Sequence, residues 1–464
     1  MSLVHAFLAT CRAYPKRTAL TFEDTSLTFE QLNSKANAVA SLLQNKGVKQ
    51  GDRVAICMPN SIELILAYLG ALKLGAVLVP ISPSFTTRDI KNIIEDTQAS
   101  CLIAVNTVEK SIMFSHEDLP EANDLPIIIS NEDPAIIFYT SGTTGSSKGA
   151  LLKHKHILAS LRTLQHTWAL SPKDHLLLTL PLHHIHGLGV GICGAWLIGY
   201  QVTLTKKFNA EETLTMLKDC TLFMGVPTMY VKMLETEGNF NLDNMRLFIS
   251  GSAPLKPETF TAFQKRFNYT ILERAGMSET MMNFSNPLGG ERKVGSVGKP
   301  LLGVEVKITD DEFNDTTGPG KLLLRGPNVF EEYWNNPKIT KDSFHKSWFI
   351  TGDIAELDNQ GYVYFRGRTK DMIISGGLNI YPMDIESVLD QHPKVVESAV
   401  VGVPDKYLGE AVKAFVISKE SISEDELIKF AASHLASFKK PRSITFIDAL
   451  PRNQMGKVQK HRLK

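Results

Sequence analysis

Helix and strand signals alternate through the first hundred residues, and this alternation narrows the fold more than any other feature. Thr28 with Gln31 makes a capping-box pattern. Leu32, Ala36, Val39 and Leu43 then fall on one helical face, which Gly47 ends. Arg53–Cys57 reads as a strand, 61–74 as a helix ending at Gly75, 76–80 as a strand, 88–96 as a helix and Cys101–Ala104 as a strand. Such an order builds βαβ units around a mainly parallel sheet. The same texture returns over 135–252.

Further on the texture changes twice. Over 298–365, the short runs 304–308, 321–324 and 362–365 alternate with Gly, Pro, Asn and Asp, as in a small antiparallel β-unit. After Arg368 come a short helix at 385–389, strands at 397–403 and 412–417, a helix capped by Ser423 with Glu426, and a strand at 443–447. That is the pattern of a small α+β domain. A chain of 464 residues exceeds one ordinary core, so at least two domains are expected. The reading is α/β: a large N-terminal domain of parallel-rich sheets with helices and a small β-unit, then a small α+β domain.

A net charge of +1 supplies no global field for nucleic acid or an anionic membrane. The apolar stretches 62–81 and 176–204 contain Glu63, Lys73, three histidines and several glycines, so they read as buried core rather than membrane spans. The N-terminal apolar run 3–8 lacks a clear cleavage site and is not read as a signal peptide. Five scattered cysteines suit reduced thiols and a cytoplasmic setting.

The sharpest local feature is 140–149, Thr-Ser-Gly-Thr-Thr-Gly-Ser-Ser-Lys-Gly, after an apolar strand-like run. Glycines let backbone amides approach an anion, hydroxyls donate to phosphate oxygens, and Lys148 adds charge. The lysine lacks the neighbours of a Walker A loop. A flexible polar turn is the competing reading, and the density of hydroxyls and glycines after a buried strand argues against it.

Tyr139 through Gly145 with Lys148 and Gly149 resembles the signature of the adenylate-forming superfamily of acyl-CoA synthetases and relatives. Further motifs follow in that family's order: Gly251-Ser252-Ala253-Pro254, Glu273-Arg274-Ala275-Gly276-Met277-Ser278-Glu279, Thr351-Gly352-Asp353, 367–371 and 451–457. The resemblance covers essentially the whole chain. It implies the adenylate-forming enzyme fold, with domains at 1–369 and 371–464 and a hinge at Lys370 about which the C-terminal domain turns.

It further implies an ATP-dependent acid–CoA ligase with ATP, Mg²⁺ and coenzyme A. Thr140, Ser141, Gly142, Thr143, Thr144, Gly145 and Lys148 would hold the triphosphate. Gly251, Ser252, Ala253, Glu273, Arg274, Ala275, Gly276, Met277 and Ser278 would line the nucleotide site. Glu279 would help hold Mg²⁺, Asp353 would accept from the ribose hydroxyls, and Arg368 would lie near ribose and phosphate. Lys457 would contact the reacting carboxylate and α-phosphate, and Ser375, Gly376 and Gly377 could line a pantetheine tunnel. Taken singly, a glutamate or lysine is more often a solvated surface charge, and Ser-Gly-Gly an ordinary turn. The ordered motifs carry these assignments.

For the acid, 181–187 resembles the family's acyl-pocket gate, with His184 at the gate position. The HHxH cluster there lacks a nearby cysteine or carboxylate to complete a zinc set. Gly189, Gly191 and Gly194 match a dinucleotide fingerprint only formally. The segments 224–230, 245–255, 281–287, 326–330 and 455–460 resemble malonyl-CoA synthetases. A distal carboxylate needs a cation, and Lys232 is the better candidate because Arg246 suits a structural role as well. Met282 would wall the pocket. Two positions depart from the pattern: Ile185 stands where bacterial malonyl-CoA synthetases commonly have threonine, and Ala275 where the family has a tyrosine against adenine. The competing readings are a short- or medium-chain acyl-CoA synthetase, a ligase that loads a carrier protein, and a nucleotide- or acyl-binding protein with weak catalysis.

Overall fold

A computed structural model describes residues 1–105, 111–140, 148–452 and 458–463. They form two compact units, one of 1–305 and 325–347, the other of 306–324 and 348–464.

The first unit contains two large sheets. One runs in the order 299–300, 281–285, 272–277, 247–250, 222–225, 175–178, 201–204, 18–22 and 25–28. Its central pairs, from Leu272–Met277 across to Thr18–Phe22, are parallel. The other runs 332–333, 148–153, 134–140, 77–80, 53–57 and 101–104, with parallel pairing between 53–57, 77–80, 101–104 and 134–140. Parallel strands need crossover helices, here Ile62–Lys73 and Thr87–Thr97, while the anticipated helix Phe29–Asn45 leads from one sheet to the other. Thr28 and Gln31 make their capping box, and Leu32, Ala36, Val39 and Leu43 are buried. Strands Arg53–Cys57 and Cys101–Ala104 begin and end where the pattern places them.

The stretch 176–204 is core, as its composition suggested. Strands His175–Leu178 and Gln201–Leu204 flank a π-helix, His186–Ile192, and a short α-helix, Cys193–Ile198. Among the described residues no helix is long and apolar enough to cross a membrane. The three glycines of the formal dinucleotide match serve packing. A Cβ at Gly189 would lie 3.0 Å from Ile185, and one at Gly191 3.0 Å from Leu178.

The second unit brings together the small β-unit and the C-terminal residues. Strand Trp348–Leu357, not anticipated as a strand, pairs antiparallel with Gly320–Arg325 and with Val363–Arg368. The C-terminal sheet pairs Val395–Asp405 with Gly409–Ser418, and the latter with Ser443–Phe446. Helices Pro382–Leu389 and Glu424–His434 pack on this sheet, Ser423 capping the second. Sequence grouped the β-unit with 1–369, whereas here it falls in one compact unit with the C-terminal residues. Asp384 supplies a physical reason, lying 3.8 Å from Arg366 of the β-unit and 2.7 Å from Lys439. Lys370, on the short turn Thr369–Asp371, therefore lies inside the second unit.

The turn between the adjacent strands Leu272–Met277 and Met281–Ser285 is tight at Gly276, where a Cβ would lie 1.9 Å from the carbonyl oxygen of Met281. Gly276→Ala must therefore move backbone. We expect it to cost at least about 2 kcal/mol in urea denaturation; unchanged stability would show that the turn yields freely.

Candidate functional site

On the first unit, the strand Pro134–Thr140 turns back into Lys148–Lys153, with Thr140 in register with Lys148. Ser141, Gly142, Thr143, Thr144 and Gly145 lie outside the described residues, as does Lys457. Lys148 places its ammonium 5.4 Å from the ring centre of Tyr333, and the Tyr333 hydroxyl donates to Glu279 Oε1 at 2.8 Å. Three distant segments thus bring a lysine, a phenol and a buried carboxylate together. Tyr333 was missed because an aromatic in an acidic turn carries no local signal. Mg²⁺ favours one or two carboxylates together with substrate phosphates, so the Glu279 carboxylate beside Lys148 fits such an ion.

Glu273 and Arg274 are neighbours on a buried strand, and successive side chains of a strand point to opposite faces. They therefore do not pair. Glu273 accepts from the Leu255 backbone N–H at 3.1 Å, and burial pushes its pKa up to about 8. Arg274 is 2% exposed, and burial lowers its pKa to about 9, so it stays protonated at neutral pH. Its guanidinium lies against Gly251, where a Cβ would come within 2.6 Å of Cζ. Ser252 adopts a left-handed φ of 73°, and Ala253 follows it in the same turn. Ala275 is paired across the ladder with the buried Phe284, a candidate to occupy the place of the missing tyrosine. Met277 and Ser278 lead from this strand into the turn that carries Glu279.

The histidine segment sits where the π-helix begins. Ile185 is its N-cap residue, and the Ile185 carbonyl accepts from Val190 N–H at 3.0 Å. Such helices are rare and frequent at functional sites. Burial lowers the pKa of His183 to about 3 and of His184 to about 4, and takes His186 well below the usual histidine range. All three are neutral at pH 7. Met282 is buried, with its backbone N–H bonded to Ser160 Oγ and its carbonyl to Asn328 Nδ2.

The two candidate cations for a distal carboxylate have different settings. Lys232 stands on the exposed side of the last turn of helix Pro227–Glu235, where its charge is solvated. Arg246 is committed to Asp174, with Nε to Oδ1 at 2.6 Å and Nη2 to Oδ2 at 2.8 Å, and to the Trp168 carbonyl at 3.0 Å. The side chain given a possible structural role has one.

On the second unit, Asp353 and Arg368 are brought into register by strands Trp348–Leu357 and Val363–Arg368, with Arg368 Nε 2.7 Å from Asp353 Oδ1. The Asp353 backbone N–H also donates to Thr351 Oγ1 at 3.0 Å. Ser375, Gly376 and Gly377 form the tip of a hairpin between Ile373–Ser375 and Leu378–Ile380. Gly376 and Gly377 have φ of 59° and 80°, as the two central residues of a type I′ turn require.

These features coincide with what comparison with known proteins finds. Residues 7–334 match the family of AMP-binding enzymes, and 384–457 match the AMP-binding enzyme C-terminal domain. A malonate–CoA ligase of Arabidopsis thaliana is 32% identical, over 97% of this chain and 86% of that protein. A long-chain-fatty-acid–CoA ligase of Bacillus subtilis is 31% identical, over 97% of this chain and 92% of its own length. The crystal structure of ATP-bound MatB from Rhodopseudomonas palustris superposes with a TM-score of 0.95 at 34% identity, covering 100% of this chain and 98% of that one. The chain belongs to the AMP-binding, adenylate-forming superfamily. Within it, the chain is an ATP-dependent acid–CoA ligase of the AMP-forming class.

Two predictions follow from this packing. Arg246→Met breaks the pair with Asp174 and should cost roughly 2 kcal/mol of stability, while the ratio of diacid to monoacid turnover stays unchanged. A shifted ratio would return Arg246 to the substrate pocket. The second concerns acid. Burial keeps His183 and His184 neutral down to about 3 and 4, as it does His154 and His156 to about 4. Unfolded histidines take up a proton near 6.5. Between those values the unfolded chain binds more protons, so stability must fall as pH drops, by up to roughly 1.4 kcal/mol per pH unit for each histidine. Urea midpoints measured from about pH 7 to pH 4.5 should decline over this window, and a flat profile would show that these rings are not buried.

Proposed function

We propose that the chain activates a short dicarboxylic acid, with malonate the leading candidate, as an acyl-adenylate and transfers the acyl group to coenzyme A. The observation that carries the adenylating half is the convergence of Lys148, Tyr333 and Glu279 at the base of the hydroxyl-rich loop. A carboxylate oxygen of the acid attacks the α-phosphorus of ATP, the bond from that phosphorus to the bridging oxygen breaks, and pyrophosphate leaves. Positioning and charge neutralisation supply most of the catalysis. Lys148 would steady the leaving phosphates, Glu279 would hold Mg²⁺, Asp353 with Arg368 would orient the ribose, and Lys457 would bridge the reacting carboxylate and α-phosphate. Bound Mg²⁺ would neutralise charge developing on the phosphates.

In the second half-reaction the thiol sulfur of coenzyme A attacks the acyl carbonyl and AMP leaves. A turn about Lys370 between 1–369 and 371–464 would exchange the two states, and the Ser375–Gly377 hairpin tip would border the incoming pantetheine. The free thiols Cys11, Cys57, Cys101, Cys193 and Cys220 suit a reducing, cytoplasmic setting.

Malonate is favoured by the motifs around 224–230 and 281–287. The close packing of Met281 and Ile185 at Gly189 and of Met282 at Gly276 also favours a short acid. The second reading, a fatty acid, is favoured by the likeness to the Bacillus subtilis ligase over nearly the same length. Acid-dependent pyrophosphate release across mono- and dicarboxylates, with and without coenzyme A, separates them. A preference for long monoacids would overturn the malonate reading.

Lys457→Ala should lower adenylation by roughly a hundredfold or more, since it removes a cation from the developing charge. Thioester formation from supplied acyl-AMP should change far less. Equal adenylation by variant and parent would remove Lys457 from the mechanism.

A further inference from the structure

Lys457 lies outside the described residues, but the chain on either side of 453–457 is described, and both arms are tied to the same strand of the second unit. Arg452 and Val458 form an antiparallel bridge, and the Gln459 N–H donates to the Pro451 carbonyl at 2.7 Å. The arms therefore run side by side. Leu450, Val458 and Leu463 pack with Ala399, Val401 and Phe415.

Each arm also carries an ion pair. Arg452 pairs with Glu397, and Lys460 places Nζ 2.6 Å from Glu386 Oε1. The second pair is the better enclosed, its side chains 20% and 18% exposed against 33% and 23%. Strand Val395–Asp405 ends its sheet, so alternate N–H groups along it point away from the ladder. The Val400 N–H donates to the same Glu386 Oε1 at 2.7 Å. One carboxylate oxygen on helix Pro382–Leu389 thus holds both an edge N–H and the arm that leads back to Lys457. The helix itself is seated by Ile385 and Leu389, buried against the sheet. Glu386 is therefore oriented before Lys460 meets it, unlike the partners of a pair between two mobile surface chains.

We propose that Glu386 is a positioning residue for the adenylating half-reaction: by holding Lys460, it fixes the backbone from which Lys457 reaches the reacting groups. A lysine stem is long and flexible, so its ammonium is only as well placed as the backbone that bears it. The proposal rests on the reading of Lys457 as the cation of that step.

Half-reaction kinetics on the full-length protein test this, with the acid of the mono- and dicarboxylate panel that releases pyrophosphate fastest. Glu386→Gln keeps an acceptor for Val400 and removes the charge. Lys460→Met removes the other partner and keeps the test open if Glu386→Gln does not fold. Each should lower the kcat of adenylation by about tenfold or more, since a misplacement of about 1 Å can cost about a hundredfold. The KM values for ATP and acid, and thioester formation from supplied acyl-AMP, should stay close to those of the parent. Lys460→Arg, which keeps the charge, should adenylate like the parent. In a Lys457→Ala background, neither Glu386→Gln nor Lys460→Met should lower adenylation further, because effects that act through one group do not add. Adenylation at the parent's rate in both variants, an equal fall in both half-reactions, or a further fall in the Lys457→Ala background would overturn the positioning role. Lys457→Ala adenylating like the parent would overturn the reading of Lys457 and the role of Glu386 with it. A slow Lys457→Ala beside normal Glu386→Gln and Lys460→Met would overturn the role of Glu386 alone. A parent that releases no pyrophosphate with any acid of the panel would overturn both.

Discussion

The strand Leu272–Met277 buries a glutamate and an arginine in succession and, by strand geometry, keeps them apart. Much of the first unit is arranged around that constraint. Glu273 is pushed toward its neutral form and takes a backbone N–H from Leu255, while its own carbonyl holds Asn286. Arg274 keeps its charge and requires Gly251 to be a glycine. The next turn then needs Gly276, because the carbonyl of Met281 occupies the space of a side chain. One short strand thereby fixes the positions of Arg274, Glu279 and Met282.

The cluster of Lys148, Glu279 and Tyr333 depends on a different device. Lys148, Glu279 and Tyr333 come from segments far apart in sequence, and two strand pairings bring them together. Lys148–Lys153 pairs with Pro134–Thr140, and Glu332–Tyr333 pairs with the same Lys148–Lys153 strand. The Phe330 N–H then donates to the Glu279 carbonyl at 2.8 Å, and Asn328 holds the carbonyls of Thr280 and Met282. Hydrogen bonds from one loop therefore fix the backbone at both Glu279 and Met282. On the second unit, Asp353 and Arg368 need only the register of two adjacent strands.

Local signals read well wherever hydrophobic period and capping agreed. The Thr28–Gln31 box, the strands Arg53–Cys57 and Cys101–Ala104 and the cap at Ser423 all depend on residues within one turn or one pleat. The strand Trp348–Leu357 escaped notice because its Thr-Gly-Asp stretch looks like a turn, and only its partners on both sides make it a ladder. The packing of the β-unit with the C-terminal residues escaped notice for a similar reason. Its ion pairs through Asp384 to Lys439 link residues that no local pattern connects.

The ordered motifs were enough, by themselves, to determine the superfamily and its chemistry, because phosphate loops and turn glycines are dictated by residues adjacent in the chain. The setting of each cation was a tertiary decision. Lys232 and Arg246 were the two cations considered for a distal carboxylate, and Arg274 was placed with the nucleotide by resemblance. Folding turned Lys232 to solvent, gave Arg246 to Asp174, and left Arg274 enclosed with its donor edge unsatisfied among the described residues. The reason is physical: charge is a property of the residue, whereas burial and the presence of a partner belong to the space that distant strands enclose.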